Sequence, residues 1–396
     1  MKKRSKDQTI IIHAGRHPEK YAGAVNPPVM HASTILSETI ADFRGKHLAW
    51  QEGAPLYLYG RYGTASQDAV AEAICALEGG FKAMTFPSGL AACACALIAC
   101  VKGGDHVLMS DSTYGPNRLV GSRLLARFGV ETQFYDPLIG AGIDKLFRPN
   151  TAAIVLEAPG SLTFEMQDIP ALASVAKKRG VLSIMDNTWA TPYYFKPIAH
   201  GVDLSVQAAT KYIVGHSDAM LGAVTVASKE IYARLLETHW DLGMHLAPDD
   251  AYLGQRGLRT LAVRLKQHWE SGLALAQWIA EQPEVERVLH PGLPGDPGHA
   301  IWKRDFTGAS GLFSVVLKPV PEKAFATLLD ELELFGIGGS WGGYESLVMP
   351  FDPRDQRSVT KWPYPGPCFR VHAGLEAIED LVADLDAGFG RLRKAL

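Results

Sequence analysis

From residue 67 onward, the order of apolar and polar positions switches repeatedly between two periods. Short, largely apolar runs at 83–86, 106–109, 153–156, 181–185, 204–207 and 223–226 read as strands. Between them, apolar residues recur at three- and four-residue spacing over 67–78, from the Pro87-Ser88-Gly89 turn through Cys100, and over 118–128 and 169–179, which predicts helices. Strands that are apolar on both faces and alternate with helices imply a mostly parallel sheet covered on both sides, an α/β fold. After Arg259 the pattern changes. A long amphipathic helix at 261–281 leads to a strand at 312–317, a helix at 322–331, a strand at 368–372 and a final helix at 378–394. These form a smaller α+β unit. The first sixty residues show little periodicity, with Asn26-Pro27-Pro28, Gly53-Ala54-Pro55 and scattered Tyr and Trp. Such a segment is poorly suited to a core of its own and reads as an arm lying across another surface, such as a second subunit. The expected organisation is an arm over 1–62, a large domain over 63–258 and a C-terminal domain over 259–396.

Composition narrows the class. A chain of 396 residues exceeds one ordinary core, so two packed domains are expected. Hydrophobic and charged contents of 47% and 20% are globular values. A net charge of -3 argues against a nucleic-acid partner. The run Ile10-Ile11-Ile12 is too short for a signal-peptide core, and 90–101 cannot cross about 30 Å of hydrocarbon. A soluble, cytoplasmic protein with no membrane partner is expected. The odd set Cys75, Cys93, Cys95, Cys100 and Cys368 fits reduced thiols. Cys93 and Cys95 face different sides of a helix with no His-rich cluster after them, so no metal site is expected.

Three segments carry candidate chemistry. Asp186 follows the apolar run 181–185 and opens the turn Asp186-Asn187-Thr188, where strand ends of an open sheet line a ligand crevice. A carboxylate there can cap a helix, pair with a cation or hold a protonated pyridine nitrogen. Lys211 lies in Ala208-Ala209-Thr210-Lys211-Tyr212-Ile213-Val214, with apolar sequence on either side. Burial lowers a lysine's pKa and frees its amine as a nucleophile. Thr210 offers a hydroxyl for a phosphate oxygen. In Phe86-Pro87-Ser88-Gly89-Leu90 a strand turns into a helix, whose free N–H groups can bind phosphate. No Walker lysine and no dinucleotide glycine fingerprint accompany it, which leaves a nicotinamide oxidoreductase as the poorer alternative.

With these residues in view, the chain resembles the Cys/Met-metabolism family of pyridoxal-phosphate-dependent enzymes. The motifs are Tyr59-Gly60-Arg61, Asp186-Asn187-Thr188-Trp189, the run from Asp203 through Lys211 to Ser217, Ser340-Trp341-Gly342-Gly343-Tyr344-Glu345-Ser346 and Arg370-Val371-His372. The resemblance covers nearly the whole chain. It implies an aspartate-aminotransferase-type large domain with a seven-stranded, mostly parallel sheet. It also implies pyridoxal 5'-phosphate as cofactor, with Lys211 as its Schiff-base lysine and Asp186 at its ring nitrogen. Gly89, Leu90 and Thr210 would hold the phosphate and Tyr114 would stack on the ring. Tyr59 and Arg61 would reach the phosphate of a neighbouring subunit, within a homotetramer built from dimers that share sites. Arg370 would clamp the substrate carboxylate, and Ser340 would orient the lysine.

Two positions depart from the family pattern. Ala208 stands where many relatives have a phosphate-binding Ser. Gly339 stands where γ-type enzymes carry Glu and β-lyases an aromatic residue. Trp341, where γ-type enzymes usually have Leu, directs the resemblance to the β-lyase branch. The activity this implies is β-elimination of L-cystathionine to homocysteine, pyruvate and ammonia in methionine biosynthesis, with Lys211, Tyr114 and Ser340 catalytic and Trp341 beside the substrate. The alternatives are a γ-lyase, a γ-synthase or a broad cysteine-S-conjugate β-lyase.

Overall fold

A computed structural model describes residues 5–51 and 56–396. Part of the expected irregular segment, Gly53-Ala54-Pro55, and the basic start at 1–4 lie outside the described residues. Seven strands form the first sheet: β1 (Lys82–Phe86), β2 (His106–Ser110), β3 (Glu131–Tyr135), β4 (Thr151–Glu157), β5 (Leu182–Asp186), β6 (Leu204–Gln207) and β7 (Gly222–Val226). Their spatial order is β1-β7-β6-β5-β4-β2-β3, and β7 alone runs against the others. The sheet is therefore mostly parallel, and the buried residues of β2 and β4–β7 explain the unbroken apolar runs.

The second sheet has five strands, β8 (Val285–Leu289), β9 (Leu312–Leu317), β10 (Gly336–Ile337), β11 (Leu347–Phe351) and β12 (Cys368–His372). They lie in the order β10-β11-β12-β9-β8, with all neighbours antiparallel except β10 and β11. Helices Leu261–Ala280 and Ile378–Ala395 cover it. Besides that core of its own, the second sheet shares a buried cluster with the first. Leu261, Leu265, Leu289, Phe306 and Leu312 pack in one cluster with Ile154, Leu156 and Met185 of the first sheet.

Several expected boundaries shift. The helix expected at 67–78 begins at Ala65, because Thr64 and Gln67 form a reciprocal capping box. Val181 belongs to the turn before β5, its N–H bonded to Ala176 O, and Asp186 is the last residue of β5 rather than the first after it. The helix expected at 118–128 is broken into an α-helix (Gly115–Leu119), a π turn (Val120–Leu124) and a 3-10 turn (Leu125–Phe128). Ser122 contributes by turning its hydroxyl back to Arg118 O at 2.9 Å, a bond that bends helices. The N-terminal segment is less irregular than its sequence, since Asp7–His13 and Ile40–Gln51 are helical.

Candidate active site

The parallel strands bring chemically distinct residues to one edge of the sheet. Glu157 closes β4 and Asp186 closes β5, directly paired in register. Segment 208–211 leaves the same end of β6, segment 111–114 leaves β2, and Ser88-Gly89 leaves β1. Ligands of open α/β sheets bind at this edge.

Asp186 is held from two sides. Thr188 donates to its Oδ1 through the backbone N–H at 3.0 Å and through the hydroxyl at 2.5 Å. The same hydroxyl accepts from Ala208 N–H at 2.8 Å, which couples Asp186 to the lysine segment. The Cys93 thiol lies 3.9 Å from Oδ2. Burial raises the Asp186 pKa, opposed by the Thr188 bonds and by the Lys211 charge. Among the described residues Asp186 has no ion pair, which suits it to a cationic group supplied from outside the chain.

Lys211 lines the cleft. Its Nζ donates to Ser340 Oγ at 2.7 Å and lies 5.5 Å from the centre of the Trp341 ring. The residue keeps some access to the cleft, while surrounding protein desolvates its amine. That burial, reinforced by the Arg370 charge and opposed by Asp186, lowers its pKa to about 8. Two contacts fix this geometry. Gly342 has φ +90°, and a Cβ there would lie 2.9 Å from Lys211 Cα, so the Ser340–Gly343 turn passes directly against the lysine backbone. Behind it, the buried Arg264 guanidinium donates to the carbonyls of Tyr212 (2.7 Å), Ile213 (3.3 Å) and Gly257 (2.8 Å).

Arg370 sits in the middle of β12, 8% exposed, and donates to Ser340 O at 3.0 Å. Burial lowers its pKa to about 10, with Tyr114 and Tyr212 opposing. No carboxylate pairs with it among the described residues. A buried guanidinium is costly without an anion, so this cation is poised for a carboxylate from a ligand. Trp341 packs on Tyr212 with ring centres 5.4 Å apart. Tyr114 is 43% exposed on the cleft side, and burial of its hydroxyl raises its pKa.

The phosphate end is formed by the start of helix Gly89–Cys100, where Ser88 Oγ accepts from Ala91 N–H at 3.1 Å. A Cβ on Gly89 would lie 2.4 Å from Ala208 Cβ, so this helix start touches the lysine segment. Leu90 is partly exposed there. Thr210 Oγ1 accepts from Leu221 N–H at 2.8 Å and donates to Leu221 O at 3.2 Å, so within the chain its hydroxyl is held by the Leu221 backbone beside this helix start. A helix N-terminus, an adjacent hydroxyl, an uncompensated acid and a desolvated lysine together fit pyridoxal phosphate.

Tyr59 and Arg61 are not drawn into this cluster within the chain. Arg61 donates to Trp240 O at 2.8 Å and to the Tyr62 hydroxyl at 3.1 Å, and Tyr59 is 43% exposed. Two further acids escaped the sequence reading. Glu157 ends an apolar strand as Asp186 does, a signal available in the sequence. Asp111 accepts from the backbone N–H groups of Ser358, Val359 and Thr360 and from Arg118. Burial would raise its pKa, but these bonds prevail and hold it at about 2. Asp111 thereby ties the 357–360 loop to the segment that carries Tyr114.

The fold and this cleft define an enzyme of the pyridoxal-phosphate-dependent class. More narrowly, the chain belongs to the Cys/Met metabolism pyridoxal-phosphate-dependent enzyme family, whose profile matches residues 8–390. It is similar to a putative cystathionine β-lyase of Rhizobium johnstonii, 49% identical over 96% of this chain and 95% of the relative. It is also similar to the cystathionine β-lyase MetC of Escherichia coli, 43% identical over 97% and 98%. Among solved structures, cystathionine γ-synthase of Xanthomonas oryzae pv. oryzae superposes with a TM-score of 0.90 at 29% identity, covering 100% of both chains.

Proposed function

We propose that this enzyme is a carbon–sulfur β-lyase acting on L-cystathionine, releasing homocysteine, pyruvate and ammonia. The observation that carries the reading is Arg370, a buried cation without a carboxylate partner among the described residues, bonded to the carbonyl of the residue that holds Lys211. An amino acid whose α-carboxylate meets Arg370 brings its α-carbon toward the Lys211 amine. When bound, pyridoxal phosphate stabilises negative charge developing at that carbon. Asp186 would keep the ring nitrogen protonated, and the turn at Gly89 and Leu90 with Thr210 would hold the phosphate. The amine of Lys211, desolvated and aligned by Ser340, takes the α-proton and returns it to the departing homocysteine sulfur as the Cβ–S bond breaks and the Cα–Cβ double bond forms; one water then hydrolyses the released 2-aminoacrylate to pyruvate and ammonia. Tyr114 covers the exposed face of the site.

The preference for β- over γ-elimination rests on Trp341 beside Lys211 and on the named β-lyase relatives. Tyr59 and Arg61 belong in this reading to a neighbouring subunit's site, in a homotetramer whose dimers share cofactor pockets; their outward placement is compatible with that. The division into 1–62, 63–258 and 259–396 is part of the same reading, supported by the two sheets and by the break between helices at Thr260. Incubation with L-cystathionine tests the proposal: release of homocysteine together with pyruvate supports it, and release of cysteine with 2-oxobutyrate contradicts it. A holoenzyme that releases neither overturns it.

A further inference from the structure

Glu157 has no part in the chemistry above, yet it touches the site's working parts. Its carboxyl occupies the end of β4, in register with Asp186 on β5, so two acids stand side by side at the cleft. Its Oε2 accepts from Tyr114 N–H at 2.7 Å and from the Thr113 hydroxyl at 3.2 Å. Tyr114 stands just before the short helix Gly115–Leu119 and has no side-chain cap. The Glu157 carboxyl is thus the bond that fixes the main chain at the point where the Tyr114 ring leaves it. On the other side, Gly115 abuts the Gln356 side chain, with a Cβ there meeting Oε1 at 3.0 Å. Tyr114 is held between the end of β4 and the 353–360 loop.

We propose that Glu157 is a positioning residue for Tyr114, setting the angle at which that ring covers the cofactor held by Lys211 and Asp186. The neighbouring Asp186 makes this role chemically reasonable. Burial and the Asp186 charge push the Glu157 pKa well up, the Tyr114 and Thr113 bonds opposing.

Two substitutions separate this role from a general structural one. Glu157→Ala removes the acceptor, whereas Glu157→Gln keeps a carbonyl oxygen that can accept from Tyr114 N–H. In cofactor titrations of the apoprotein, Glu157→Ala is expected to weaken pyridoxal-phosphate binding about tenfold and to change the visible circular dichroism of the bound ring. Glu157→Gln is expected to restore both to within about threefold of the parent. The decisive comparison is a double-mutant cycle. If Glu157 acts through Tyr114, Glu157→Ala changes cofactor affinity little in a Tyr114→Ala background. Additive losses, or an unchanged affinity and dichroism in Glu157→Ala, would overturn the proposal. Thermal unfolding of each apoprotein identifies a variant that merely fails to fold, and Glu157→Gln then carries the test: a loss of affinity and dichroism with that variant folded overturns the proposal as well.

Discussion

The Lys211 amine and the Ser340 hydroxyl meet at 2.7 Å although 129 positions separate them, and the carbonyl of the same serine accepts from Arg370. One residue of the connection between β10 and β11 therefore touches both the candidate base and the candidate carboxylate clamp. Ser340→Ala removes the hydroxyl contact while leaving the carbonyl. We expect it to lower kcat about tenfold with KM little changed. Lys211→Ala is expected to lower kcat on the order of a thousandfold or more and to abolish the visible band of the lysine-bound cofactor. Steady-state kinetics and absorbance spectra check both. Normal turnover in Lys211→Ala is incompatible with the mechanism.

The environment of Lys211 makes a pH prediction for the apoprotein. Its amine is protonated below about pH 8 and neutral above it. Reductive methylation at Lys211, followed by peptide mass spectrometry, is expected to accelerate through that midpoint. Arg370→Met removes a neighbouring cation and moves the midpoint up, toward the ordinary value of 10.5. The unfolded chain keeps this proton up to about 10.5. The folded apoprotein therefore gains stability as pH rises from about 8 to 10.5, and Lys211→Met removes that gain.

Gly342 is the position where the turn and the lysine approach most closely. Gly342→Ala places a methyl group 2.9 Å from Lys211 Cα at a φ of +90°. The backbone conformation alone costs about 1–2 kcal/mol, before any displacement of Lys211. A lowered thermal midpoint and reduced cofactor affinity are expected together.

Gly339 behaves oppositely. A Cβ there meets nothing within 4 Å, and its backbone lies outside the left-handed region. Gly339→Tyr is expected to change stability by less than about 0.5 kcal/mol, while changing relative kcat/KM between cystathionine and thioethers of different length. Unfolding curves and competition between substrates measure the two effects separately.

Legibility in the sequence followed burial. Strands β4–β7, hidden on both faces, appear as apolar runs. The edge strands β3 and β8 do not, because the polar runs Glu131-Thr132-Gln133 and Glu286-Arg287 occupy exposed or half-buried positions there. Pro350 disguises β11. At the site, Asp186 and Lys211 were readable from their apolar flanks, and the roles of Arg370, Tyr114 and Ser340 came from the family motifs. Their juxtaposition depends on contacts more than a hundred residues apart, which no local pattern encodes. Arg264 looks like any helical arginine until its guanidinium is seen capping the lysine segment's carbonyls. Asp111 is likewise explained only by the distant 358–360 loop.

The central claim concerns which bond of the substrate breaks. Product analysis after turnover of L-cystathionine reads this directly. Pyruvate and homocysteine in equal amounts, with ammonia, are the predicted result. Formation of 2-oxobutyrate and cysteine would contradict the β-lyase reading and assign γ-elimination instead.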